Sequence, residues 1–143
     1  MATVVPGVRT ISPRAFLGLS LASCAAIFLV VTSGAFVRLT GSGLGCENWP
    51  RCGDRPYPEQ GYHAWVEFGN RLVALTGLVL VLLTWLGSRK VVGLPRGVRR
   101  TALAALLLTV AQVPMGAMTI ALELHPLAVM THFLLAMVVL ALA

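Results

Sequence analysis

The sequence predicts an all-α polytopic membrane protein, a bundle of four transmembrane helices, and three observations lead there. Of 143 residues, 57% are hydrophobic and only 11% charged, against roughly half and a quarter in soluble domains. Four apolar stretches, Ala15–Val37, Ala64–Gly87, Thr101–Leu122 and Pro126–Ala143, each approach the ~20 residues needed to cross about 30 Å of hydrocarbon. All the basic residues but Arg71 sit outside these stretches, and they form no single face. The formal net charge of +6 therefore argues against a nucleic-acid partner and for membrane lipid.

Taken in order, residues 1–14 form a tail whose Arg9 and Arg14 precede the first span. That span, 15–37, exceeds the ~7–15 apolar residues of a signal peptide, so a retained helix is expected. The segment 88–100 carries Arg89, Lys90, Arg96, Arg99 and Arg100 without an acidic residue, whereas 38–63 mixes Arg38, Arg51 and Arg55 with Glu47, Asp54 and Glu59. The positive-inside rule then makes 88–100 a cytoplasmic loop and 38–63 an outer loop, in a plasma (inner) membrane protein with both termini cytoplasmic. Gly93, Pro95 and Gly97 keep the cytoplasmic loop short, so helices 64–87 and 101–122 should be antiparallel neighbours. The third helix contains Gln112, Pro114 and Gly116, a packing and kink signal. A tight outer turn, Glu123–His125, leads to the fourth helix, 126–143. Ala143 closes an apolar run with no basic anchor, from which a continuation of the natural chain is expected.

Chemistry-bearing residues gather toward the outer side. Cys46 and Cys52 flank a Trp49-Pro50 turn, and an exterior location favours a disulfide. A ring so small stabilises modestly, leaving both a structural staple and a redox pair open. Cys24, mid-helix, reads as a small hydrophobe. His63, Glu67, Asn70 and Arg71 share one face of the second helix. Ionisable groups in a spanning helix cost roughly 2.5–3.5 kcal/mol each and normally face the bundle interior, with Glu67 and Arg71 spaced for an i, i+4 ion pair. On the fourth helix His125 stands at the mouth and His132 two turns deeper. Because the second and fourth helices are parallel, Asn70 should lie level with His132, and His63 with His125. Paired layers of this kind resemble a bundle-core haem site. Zinc is disfavoured because no close pair such as His-x3-His occurs.

These residues resemble the haem A synthase family. The likeness rests on Val37 to Cys46 with Trp49-Pro50 and Cys52, on Glu67-Phe68-Gly69-Asn70-Arg71, on Gln112 to Ile120, and on His125 to Phe133. It implies a membrane oxidoreductase that oxidises a methyl group of haem O to the formyl group of haem A for terminal oxidase assembly. The family usually has two similar four-helix halves, the first binding the haem substrate and the second holding a haem b. This chain resembles the first half, so haem b is expected in a second half outside it.

By resemblance, Cys46 and Cys52 are the outer-loop pair, Glu67 the acidic residue implicated in catalysis, and His132 a haem-iron ligand. The family motif has histidine where this chain has Asn70. The Phe-Gly-Asn-Arg version resembles an actinobacterial branch in which His63 would supply the second iron ligand or leave the iron five-coordinate. Arg38 or Arg71 would pair with haem propionates, and His125 would line the site. Implied partners are haem O synthase and oxidase assembly proteins, or a second copy if the chain is complete. Two other classes stay open at this point: a quinone-coupled membrane thiol oxidoreductase, against which the lack of Cys-x-x-Cys counts, and a non-catalytic haem-binding or electron-transfer subunit.

Overall fold

The computed structural model describes residues 10–46, 49–55, 57–59 and 61–143. Most of the 1–14 tail, with Arg9, and Glu47 and Asn48 of the cysteine loop lie outside the described residues. The architecture is an all-α bundle: α1 Pro13–Leu39, α2 Tyr62–Ser88, α3 Arg96–Ala121 and α4 Pro126–Leu142. Three of these are long and apolar enough to cross a membrane, and α4, at 17 residues, is apolar but shorter.

The helices overrun the apolar stretches. Ser12 caps α1 by accepting from the Ala15 N–H at 3.1 Å, and Pro13 occupies the first turn, where a missing N–H has no partner to lose. The start of α3 at Arg96 takes in three arginines from the segment read as loop. Apolar composition marks the depth of hydrocarbon, whereas backbone hydrogen bonding continues past it into the polar interface. Pro114 lies within α3 without ending it. The α3–α4 turn places Glu123 and Leu124 at φ 48° and 59°, held by Leu124 N–H to Thr119 C=O at 2.8 Å and His125 N–H to Leu122 C=O at 2.9 Å.

Around the bundle α1 packs on α2, α2 on α3, α3 on α4, and α4 returns to α1; the diagonal pairs α1/α3 and α2/α4 make no close backbone approach. The parallel helices α2 and α4 therefore face each other across the interior. Ile27, Val81, Ala105, Leu106 and Val139 form the packed core, Ile27 at the middle of α1 and the others in the half nearer the α2–α3 turn. In that half Gly77 lets α1 approach, a Cβ there meeting Ile27 and Val30 at 3.3 Å. Ser23 and Thr84 hydroxyls share a buried hydrogen bond of 2.7 Å, an interhelical contact that hydrocarbon does not dissolve. The outward faces carry large exposed apolar side chains such as Leu21, Phe28, Leu75, Leu107 and Leu134, the surface that lipid covers.

Candidate functional site

The opposite end of the bundle is roofed by the cysteine loop. Cys46 and Cys52 are joined in a disulfide with Cα atoms 4.5 Å apart, and with Ala64 and Phe68 of α2 they form a second, smaller apolar cluster. Gly45 permits this seating. A Cβ there would lie 2.5 Å from the carbonyl carbon and oxygen of His63 and 2.7 Å from the nitrogen of Ala64, and backbone cannot yield as a side chain can.

Polar contacts then fix the loop's register. The Cys46 N–H donates to Glu67 Oε2 at 2.9 Å, and Glu67 Oε1 receives the Arg71 guanidinium. Arg71 also donates from Nη1 to the Pro50 and Arg51 carbonyls at 3.1 and 2.6 Å. The i, i+4 pair anticipated from the sequence thus bridges α2 to both arms of the disulfide loop. Glu67 is 4% exposed, so its burial is offset by a charged partner and a backbone donor.

His63, one turn before Glu67, is held by a hydroxyl chain. Thr40 Oγ1 and Ser42 Oγ lie 2.7 Å apart, and Ser42 Oγ lies 2.8 Å from His63 Nδ1. Ser42 is fully buried, while the His63 ring is exposed and edge-on to Tyr62. Leu124 of the α3–α4 turn abuts Gly43, so the loop also touches the far side of the bundle.

Beneath this roof the interior is polar and small. Ser33 and Gly34 of α1, Asn70 of α2, Gln112 and Gly116 of α3 and His132 of α4 each lie five to nine residues from the loop-side end of their helix, roughly 7–14 Å inward. The Ser33 hydroxyl donates to Asn70 Oδ1 at 2.7 Å, and a Cβ on Gly34 would meet the same oxygen at 3.7 Å. Gln112 Nε2 donates to the His132 carbonyl at 3.3 Å. Among the described residues Gln112 Oε1 and His132 Nδ1 are buried without a hydrogen-bond partner. Gly116 leaves space at His132 Cε1, 3.7 Å from where its Cβ would be.

The structure therefore separates the sequence-derived candidates into groups. Glu67, Arg71, Cys46 and Cys52 form one connected unit; His63 belongs to the Ser42 chain; Asn70 and His132 share the inner layer. His125 sits exposed at the N-cap of α4 and Arg38 exposed in the last turn of α1. Cys24 is a free, half-buried thiol. Among the described residues no three His, Cys, Asp or Glu side chains converge as a metal cluster. Ser33 and Gly34 escaped the sequence reading, since a serine or glycine in an apolar helix looks like ordinary close packing, and Ser42 because a loop serine carries no spacing signal; only their alignment with Asn70 and His63 gives them meaning.

The chain matches the cytochrome oxidase assembly protein family (COX15-CtaA) over residues 18–60 and 56–143. It is 36% identical over 115 residues to a protein named heme A synthase from Symbiobacterium thermophilum, covering 80% of this chain and 35% of the relative. A heme A synthase from Shewanella oneidensis is 32% identical over 124 residues, covering 74% and 37%. A protein named protoheme IX farnesyltransferase from Haloarcula marismortui is 35% identical over 96 residues, covering 66% of this chain and 19% of that protein. The matched region spans only about a third of the length of these heme A synthases. Matched along nearly all its length, the chain belongs to the cytochrome oxidase assembly protein family that includes the heme A synthases.

Proposed function

We propose that this chain forms the haem-substrate half of a haem A synthase, in which a methyl group of haem O becomes the formyl group of haem A. The observation that carries the reading is the inner layer: a half-buried imidazole, His132, whose Nδ1 has no hydrogen-bond partner among the described residues and whose ring faces the side-chain-free Gly116, under the roofed end of the bundle. The donor set suits a haem on one side. Imidazole is a common iron ligand, whereas Asn70 is a neutral amide whose oxygen already accepts from Ser33. His63, with Nδ1 engaged by Ser42, retains Nε2 as a second ligand. The Phe-Gly-Asn-Arg segment supports placing the chain in the actinobacterial-like branch.

Oxidation of methyl to formyl takes one oxygen from water and releases four electrons and four protons to an acceptor; bound haem supplies the iron redox chemistry. The chain's own residues bind and orient. His132 would hold the ring system, and the disulfide loop would exclude water from above. Glu67 presents its carboxylate at the boundary between loop and inner layer, where releasing Arg71 or the Cys46 N–H would free an oxygen to take up a proton. Arg71 is directed at the loop carbonyls, which favours exposed Arg38 for the propionates, with His125 at the rim.

The basic α2–α3 end supports a plasma-membrane orientation with both termini cytoplasmic. A second half holding haem b would complete the enzyme. Haem O synthase upstream and oxidase assembly proteins downstream are the partners this reading implies.

Purifying the chain from cells that accumulate haem O, recording the Soret band, and chromatographing the extracted haem tests this. A Soret band with haem O is expected from the chain alone, and haem A once the second half is supplied. No bound haem would sink the reading and favour the thiol oxidoreductase; haem O bound but never converted even with the second half present would reduce the chain to a binding subunit.

A further inference from the structure

At the far end of the bundle lies a feature that the haem reading does not use. A cavity of about 500 Å³ opens between the end of α2 and the start of α3, lined by Trp85, Ser88, Arg89, Arg99, Arg100 and Leu103. We infer that this cavity binds the phosphate headgroup of an anionic phospholipid.

The charge pattern comes first. No acidic residue occurs between Glu67 and Glu123, and both ion pairs among the described residues lie elsewhere. Three guanidinium groups therefore line one cavity with no side-chain carboxylate of the described residues within ion-pair distance. Guanidinium groups match phosphate oxygens in a planar, bidentate fashion.

Geometry next fixes the cavity's walls. The Arg89 guanidinium lies 5.3 Å from the centre of the Trp85 ring, and Arg99 donates from Nη2 to the Val91 carbonyl at 3.1 Å, which ties the turn to α3. Ser88, fully buried, donates to the Trp85 carbonyl at 2.6 Å. The basic rim is thus tied at two points, and Arg100 adds a third cation.

The remaining walls identify the ligand as lipid. Trp85 and Leu103 are apolar, and exposed Leu82 and Leu107 continue the same faces at i−3 and i+4. A phosphate bound at the arginines would have its acyl chains run along these leucines, at the level where a Trp ring marks the edge of hydrocarbon. Basic pockets between transmembrane helices recognise anionic headgroups in this manner.

Native mass spectrometry of the full chain, titrated with phosphatidylglycerol and with phosphatidylcholine, tests the site. Wild type should retain phosphatidylglycerol preferentially, and Arg89→Gln with Arg100→Gln should weaken that retention about tenfold. Lys90→Gln with Arg96→Gln removes equal charge outside the cavity and should leave retention near wild type. Leu103→Trp keeps every charge but fills the cavity, and should also lose the preference with helix content unchanged by circular dichroism. Equal loss in the two charge pairs would reduce the effect to general surface charge and overturn the proposal. So would full displacement by inorganic phosphate, or no headgroup preference in wild type.

Discussion

The backbone N–H of Cys46 donates to Glu67 Oε2 at 2.9 Å, so the residue we propose for proton handling is also the anchor of the disulfide loop. Replacing Glu67 with Ala leaves the buried Cys46 N–H without its acceptor and removes the carboxylate that balances the mostly buried Arg71 guanidinium, and should cost about 3 kcal/mol. Glu67→Gln keeps a neutral acceptor and should cost about half as much. Thermal unfolding in detergent, with protease cleavage of the loop as a local readout, checks both. Wild-type stability and loop protection in both variants would show that the carboxylate does not hold the loop.

Gly45→Ala tests the seating of that loop. The added methyl would meet the His63 carbonyl at 2.5 Å, so the loop must lift from α2, with an expected loss of about 2 kcal/mol and faster loop proteolysis. Gly69→Ala, two residues past Glu67 with nothing within 4 Å of its Cβ, is the control. It should be neutral or stabilise α2 by about 0.5–1 kcal/mol. Similar losses at both positions would refute the role given to Gly45.

Much of this was legible in sequence because its signals are strong and local. Apolar length and arginine placement gave four helices, and i, i+4 spacing gave the Glu67–Arg71 pair. What spacing could not give is direction. Four polar residues on one face of α2 suggested one shared target, yet His63 turns to Ser42, Glu67 and Arg71 to the loop, and Asn70 to Ser33. Each choice is made by a partner from another segment, and small residues such as Ser42 and Gly34 carry no periodic signature of that pairing.

The disulfide and the Glu67 anchor act on the same few residues, which predicts coupling. Cys52→Ser opens a ring of sequence separation 6 and should cost about 2 kcal/mol. Once the loop is free, the Cys46 N–H no longer meets Glu67, so Glu67→Gln should cost less in that background. A double-mutant cycle on unfolding free energy should therefore depart from additivity by more than about 0.5 kcal/mol. Additive losses would mean that the two restraints act independently.

His132 and Gly116 offer the sharpest test of where haem binds. Gly116 stands at the imidazole with a virtual Cβ 3.7 Å from Cε1, an ordinary contact distance, so Gly116→Ala should fold and retain haem. Gly116→Leu would place a branched side chain into the space beside the ring while leaving His132 in place, and should reduce haem retention at least about tenfold, as loss of a ligand position would. His132→Ala should lose haem to the same extent. The Soret absorbance per protein reads retention, and thermal unfolding without haem separates binding from folding. Wild-type haem content in Gly116→Leu, with the fold intact, would move the binding site away from His132 and leave His63, held by Ser42, as the iron's anchor.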